Sequence, residues 1–174
     1  MILWFTGISG AGKTTIGSYF FKKFKNKNKN TIMIDGDEFR NVFSNDLKYT
    51  LKDRNKNAER ITSLVKYISN QNINIIVAAN LTSKKYRDWC KKNLKNYINV
   101  YINANISSLI KRDYKNLYKK ALNKKIKNVV GVDIPAIIPK KVDIIIQNDN
   151  TKKNFLNKIK KIEDYIKEKK IKVF

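Results

Sequence analysis

The 174-residue chain contains no histidine, one cysteine, two prolines and six glycines. Without histidine there is no Cys/His zinc site and no Ser-His or Cys-His nucleophile pair. Cys90, the lone cysteine, has no partner for an internal disulfide. Long hydrophobic runs are also missing. The most continuous, over 73–79, falls far short of the roughly 18 residues that a membrane helix needs, so no membrane partner is expected. No basic leader precedes the first apolar segment, which argues against a secretory or transit peptide and makes the cytoplasm the expected location. Acidic side chains are scarce, 14 against 38 Lys plus Arg, for a formal net charge of +24.

What is present is globular in balance, with 42 % apolar and 30 % charged residues. The length suits one compact domain over 1–174. Only five of the 38 basic residues are Arg, and the abundance of Lys, Asn and Ile has the character of codon bias, so much of the charge reads as a solvated Lys surface. A basic face attracts phosphates of any kind. No helix-turn-helix, RRM-like aromatic pair or zinc finger accompanies it to turn attraction into readout. Nucleic acid is therefore not the expected partner, and polyanionic small substrates fit the charge as well. The scarce arginines Arg40, Arg54, Arg60, Arg87 and Arg112 stand where Lys would serve if charge alone mattered. Arg adds a planar, two-pronged fork for phosphate; ordinary salt bridging is the alternative.

The apolar pattern predicts strands over 2–6, 31–34, 73–79, 98–102 and 142–146, with 73–79 as a central parallel strand. Between them it predicts helices over 14–24, 39–43, 57–68, 84–94 and 107–113, then a closing amphipathic helix over 155–171. The very basic stretch 115–128 reads as mobile, with a helical turn near 117–122. Five strands alternating with helices predict an α/β fold with a doubly wound parallel sheet.

Gly7-Ile8-Ser9-Gly10-Ala11-Gly12-Lys13-Thr14 matches GxxxxGK[ST], the Walker A phosphate loop, set between a predicted strand and a predicted helix. The glycines let backbone N–H groups curl around phosphates at the positive end of the helix. In such loops the lysine reaches the β- and γ-phosphates and the hydroxyl ligates Mg²⁺. ATP and Mg²⁺ are thus the expected cofactors, with Lys13 also placed in catalysis. No NKxD-type base-reading sequence of a signalling GTPase is present, and a motor ATPase needs more chain. A small-metabolite or nucleotide kinase with a basic lid over roughly 113–130 fits best.

Five blocks carry a more specific resemblance. They are Trp4 to Thr15; Asp35-Gly36-Asp37-Glu38-Phe39-Arg40; Asn45 to Thr50 with Asp53, Arg54, Asn57 and Arg60; Arg112-Asp113-Tyr114-Lys115-Asn116-Leu117-Tyr118; and Ile126 to Asp133 with Pro135 and Pro139. In this order they resemble the adenylylsulfate (APS) kinases, P-loop kinases with a three-layer α/β/α fold, a five-stranded parallel sheet and a basic lid. The family phosphorylates the ribose 3′-hydroxyl of a nucleotide carrying a 5′ mixed anhydride. The resemblance implies ATP binding by Gly7, Ser9, Gly10, Ala11, Gly12, Lys13, Thr14 and Thr15, with Arg112 and Lys115 from the lid. It implies Mg²⁺ at Thr14 and Asp35, with Asp35 also accepting the hydroxyl proton. Capping of the following helix is the plainer role for Asp35, and Asp37 is an equal candidate for that. Acceptor binding falls to Asp37, Arg40, Tyr49, Arg54, Asn57, Thr82, Val129 and Val130, with Tyr49 stacking on the base.

The departures concern the acceptor. Val129-Val130-Gly131 stands where the family has a Phe completing an aromatic sandwich around adenine, and Pro135-Ala136-Ile137 where it has PYE. Thr82-Ser83 replaces a Ser-Pro pair, and Asn116 replaces a lid glycine. One lost stacking face removes about 1–3 kcal/mol, which points away from adenine while leaving the phosphoryl machinery intact. A side branch, the cytidine diphosphoramidate kinases of capsular polysaccharide modification, is similar to this chain in that segment. The expected acceptor is therefore cytidine diphosphoramidate, with adenylyl sulfate as the alternative and a nucleic-acid binder with an inactive loop as a distant third. A homodimer is compatible with the family, and the apolar face over 97–102 is the expected contact.

Overall fold

The computed structural model describes residues 1–113, 116–148, 152–171 and 173, for 152–157 the backbone only. Five parallel strands, β1 (Ile2–Thr6), β2 (Thr31–Asp35), β3 (Asn74–Ala78), β4 (Tyr97–Asn103) and β5 (Ile144–Gln147), form one sheet in the order β2-β3-β1-β4-β5. The helices are α1 (Lys13–Lys27), α2 (Gly36–Val42), α3 (Leu51–Ser69), α4 (Lys84–Asn93), α5 (Ile106–Arg112), α6 (Leu117–Leu122) and α7 (Lys152–Glu168). The strand expected to be central, β3, is interior, but the middle position belongs to β1, paired with β3 on one side and β4 on the other.

Strand side chains alternate between the two faces, and each face carries its own core. Leu3 and Phe5 of β1 pack with Ile16, Phe20 and Phe24 of α1 and with Ile159, Ile162 and Ile166 of α7. Ile2 and Trp4 face the other way, onto Ala58, Ile61 and Val65 of α3 and Cys90 of α4. Every β1 side chain is buried, which is why that strand reads as a continuous apolar run. Cys90 is a buried helix position, its thiol pushed up to about 12 by burial.

Two helices begin earlier than their apolar periodicity indicates, because caps set the start. Asp35 caps α2 through its side chain, accepting from the Asp37 and Glu38 amides. Thr50 caps α3: its hydroxyl accepts from the Asp53 amide at 3.1 Å and donates to the Asp53 carboxylate at 2.7 Å. The 97–102 face is not available for a dimer contact. It is β4, hydrogen-bonded to β1 and β5 along both edges, with Ile98, Val100 and Ile102 wholly buried. Among the described residues, no helix is long and apolar enough to cross a membrane.

Candidate active site

The carboxyl ends of β1, β2 and β3 converge on one edge of the sheet, where a doubly wound α/β fold places its ligands. The β1 end turns into the phosphate loop. Gly7 lies at φ +145°, and a Cβ there would stand 2.5 Å from the Ile102 carbonyl oxygen, so only glycine fits. Gly12 begins α1 at φ 102° with no side-chain cap, and no acidic residue stands in the first turn. The first-turn N–H groups and the helix dipole thus present an anion site. Gly10, Thr14 and Thr15 are exposed. The Lys13 ammonium reaches back to the Ile8 carbonyl at 2.9 Å.

Asp35, at the end of β2, is buried and held from two sides. Its Oδ1 accepts from the Asp37 amide at 2.9 Å, and its Oδ2 accepts from the Thr14 hydroxyl at 2.6 Å. The carboxylate is therefore both the helix cap and a partner of the phosphate loop. Asp37 is not the cap; its side chain is 62 % exposed and lies 3.5 Å from Arg40. A Cβ on Gly36 would come 2.9 Å from the Ala79 Cβ, so the glycine lets the start of α2 lie against the end of β3.

The arginines divide by role. Arg40, buried on α2, donates to the Gly36 carbonyl at 3.0 Å and lies 4.9 Å from the centre of the Tyr49 ring. Arg54 of α3 lies 5.4 Å from the same ring and donates to the carbonyls of Tyr49 and Asn128, each at 2.8 Å. Burial, and next the charge of Arg40, lower the Arg54 guanidinium from its ordinary value. The two cations flank one ring, and the exposed Asp37 carboxylate, 3.5 Å from Arg40, offsets their charge only in part, so the pair can still hold an anion. Asn57 is buried beside them, its Nδ2 3.4 Å from the Gly36 carbonyl. Arg40 Nε and Asn57 Oδ1 are buried with no hydrogen-bond partner among the described residues. Arg60 instead forms a two-pronged bond to Asp46 at 2.7 and 2.8 Å, and Arg87 holds the carbonyls of Leu81 and Thr82 at 2.6 and 2.7 Å. These last two are structural.

Val129 and Val130 are buried in a turn that Asp133 fastens by accepting from the Asn128 and Val129 amides, and those bonds lower the Asp133 carboxyl from its ordinary value. Thr82 and Val130 line one cavity of about 360 Å³ at this edge, closed by Ile8 of the phosphate loop and by both prolines, Pro135 and Pro139. Val129 and Tyr49 lie outside its lining.

Two residues secure the loop: Tyr118, which stood in a family-like block without an assigned role, and Asn148, which no motif included. Tyr118 of α6 is buried and donates its hydroxyl to the Ser9 carbonyl at 2.7 Å; burial pushes its phenol up to about 12, keeping it a donor. Asn148, just after β5, donates to the Ala11 carbonyl at 2.8 Å, and its own carbonyl accepts from Arg112 at 2.6 Å. Arg112 thereby reaches the phosphate loop through Asn148. Asp113 caps α6 by accepting from the Leu117 and Lys119 amides at 2.8 and 2.9 Å. Lys115 lies outside the described residues. The described part of the basic stretch, 116–128, is anchored at Tyr118 and Ala121, both buried. The signal for Asn148 was a polar residue directly after a strand at the ligand edge.

The sequence profile described as adenylylsulphate kinase matches residues 1–147. The chain belongs to this family. It is an enzyme, a phosphotransferase with a hydroxyl acceptor. The cytidine diphosphoramidate kinase of Campylobacter jejuni subsp. jejuni serotype O:2 is 42 % identical over 147 residues, covering 84 % of this chain and 85 % of that one. An adenylyl-sulfate kinase of Clostridium acetobutylicum is 36 % identical over 172 residues, covering 98 % and 84 %. The fold is that of the Mycobacterium tuberculosis APS kinase solved with AMPPNP and APS, at a TM-score of 0.85 and 24 % identity, covering 95 % of this chain and 96 % of that one. The P-loop α/β/α architecture read from the sequence is therefore the observed one.

Proposed function

We propose that the enzyme transfers the γ-phosphoryl group of ATP to the ribose 3′-hydroxyl of a cytidine nucleotide carrying a 5′ diphosphoramidate, as in capsular polysaccharide modification. The observation that carries this choice is the segment closing the acceptor side. Val129 and Val130 are buried aliphatic residues where an adenine sandwich needs a ring, and the relative at 42 % identity acts on that cytidine compound by name.

The chain's own residues divide the work. Phosphate-loop amides and Lys13 bind and orient the triphosphate, with Arg112 held beside the loop by Asn148. Asp35, fixed by two amides and by Thr14, takes the proton of the 3′-hydroxyl as it attacks. Arg40, Arg54 and Asn57 grip the charged diphosphate end, for which the unpartnered Arg40 Nε and Asn57 Oδ1 are available polar atoms. The basic segment over 113–130 closes over ATP as a lid. A Mg²⁺ ion fits Thr14 and Asp35: two hard oxygens lie 2.6 Å apart, and Mg²⁺ commonly takes one or two protein ligands plus phosphates and waters. When bound, it neutralises charge on the β- and γ-phosphate oxygens.

Adenylyl sulfate is the second reading, favoured by Tyr49, an aromatic residue that is 48 % exposed, and by the relative at 36 % identity. A coupled ADP-release assay with ATP–Mg²⁺ and the two acceptors in parallel separates them. Turnover with the cytidine compound alone supports the proposal. Turnover with adenylyl sulfate alone overturns the cytidine choice, and turnover with neither overturns both.

A further inference from the structure

The cavity of about 360 Å³ at the ligand edge has a lining that no catalytic role accounts for. Among the described residues, none that lines it is charged. Its walls are mostly apolar, among them Leu51, Leu81, Ile134 and Ile137, so it suits a neutral ring and is a poor host for a phosphate. Two carboxamides interrupt these walls. Asn55 stands four residues after Leu51 on α3, hence on the same helix face, and Asn80 follows the end of β3. Both are partly buried, and neither side chain is hydrogen-bonded to any other described residue.

We propose that Asn55 and Asn80 read the hydrogen-bonding edge of the acceptor's base in this cavity, which deepens the cytidine reading and rests on it. Each carboxamide offers N–H donors and a carbonyl acceptor. Cytosine presents its O2 and N3 as acceptors and its exocyclic 4-amine as a donor. One amide donates to N3 while accepting from the 4-amine, and the other donates to O2. The position is consistent with the charge distribution: Arg54, next to Asn55 in sequence, turns to the Tyr49 ring and the Asn128 carbonyl, so the same turn of α3 offers a cation to the diphosphate and an amide to the base. Specificity of this kind comes from leaving buried polar groups unpaired when the wrong edge enters.

The test compares the cytidine acceptor with its 4-deamino (pyrimidin-2-one) counterpart in wild type, Asn55→Leu, Asn80→Leu and the double variant. Wild type is expected to prefer the amine-bearing acceptor by about 10- to 100-fold in kcat/KM. The preference should collapse to within about 3-fold in at least one single variant and in the double variant, through the acceptor KM, with the KM for ATP unchanged. The ratio of two acceptors is independent of how much of each variant folds. If the variants keep the wild-type preference, the amides do not read the base and the proposal is overturned, while wild-type turnover of the cytidine compound leaves the functional reading standing. If wild type uses only adenylyl sulfate, the cytidine reading fails and this inference, which rests on it, falls with it. Turnover with neither acceptor overturns the functional reading and this inference together.

Discussion

The Thr14 hydroxyl donates to Asp35 Oδ2 at 2.6 Å and so joins the start of α1 to the end of β2. Asp35 Oδ1 is already committed to the Asp37 amide at 2.9 Å, so the carboxylate is oriented before any substrate arrives. Asp35→Asn keeps one oxygen to accept from the Asp37 amide, places an NH2 that can donate to the Thr14 hydroxyl where Oδ2 stood, and removes the charge and basicity. We expect kcat to fall by about 10²- to 10⁴-fold, with the KM for ATP within about 3-fold of wild type. Steady-state kinetics at saturating acceptor check this, and unchanged turnover removes Asp35 from proton transfer.

Lys13→Ala should abolish ATP-dependent ADP release with either acceptor, because the ammonium is the loop's only side-chain cation. Thermal melting should show the variant folded, since Gly7, Gly10 and Gly12 set the loop's path through their positive φ. A wild-type protein without kinase turnover that binds oligonucleotides with steep salt dependence, unaffected by Lys13→Ala, would instead favour the nucleic-acid alternative.

Arg54 uses Nε and Nη2 to hold two carbonyls 79 residues apart in sequence, Tyr49 and Asn128, while lying against the Tyr49 ring. Lysine keeps a positive charge and lacks the fork. Arg54→Lys is expected to raise the acceptor KM by about 10-fold, the scale of one charge-assisted hydrogen bond, and to leave the KM for ATP unchanged. Equal effects on both substrates would place Arg54 in general stability and not in acceptor binding.

The sheet was legible because every strand is a short apolar run beside a turn, and the phosphate loop because its chemistry needs contiguous residues. The division of labour among the arginines was legible only in part: Arg40 and Arg54 were expected together at the acceptor and Arg112 at the lid, but the partners that hold each of them were not. Arg40, Arg54 and Arg60 all fall within family-like blocks, yet Arg60 is occupied by Asp46, and only the fold brings Arg40 and Arg54 to one ring. Tyr118 and Asn148 escaped for the same reason, since their partners, the Ser9 and Ala11 carbonyls, are more than 100 residues away. The starts of α2 and α3 were readable in principle from Asp35 and from Thr50 with Asp53, but periodicity alone misses caps. Strand order, which puts β1 and not β3 in the middle, is a tertiary choice that local pattern does not encode.

Asp133 links the acceptor side to pH. Its carboxyl is lowered from its ordinary value, first by the Asn128 amide and next by the Val129 amide. A group depressed in the folded state stabilises it above the unfolded value, and that stability is lost as pH falls through the folded value. The 128–134 turn should therefore hold at neutral and mildly acidic pH and loosen only below about pH 4. Amide resonances of Asn128 and Val129 followed by NMR from pH 7 to 3 should move with the Asp133 titration. In Asp133→Asn that acid step should vanish, and the acceptor KM at pH 7 should rise several-fold.

Asn116 shows how a glycine-poor chain meets a backbone demand. It adopts φ 51° and ψ 25° at the start of α6, the left-handed region that asparagine tolerates better than other side-chain-bearing residues. That explains a non-glycine residue at the lid position where the family pattern has glycine, and Asn45, Asn72, Asn96 and Asn128 have positive φ as well. Asn116→Ala keeps the backbone N–H bond to the Asp113 carbonyl, 2.9 Å, but puts alanine in a region costing about 1–2 kcal/mol. Its Tm should fall by about 2–6 °C for a domain of this size. Asn116→Gly removes the steric cost and adds freedom to the unfolded chain, two effects of opposite sign and similar size, so its Tm should stay within about 2 °C of wild type. A fall in Tm as large for glycine as for alanine would mean that the asparagine side chain, and not its backbone conformation, secures the start of α6.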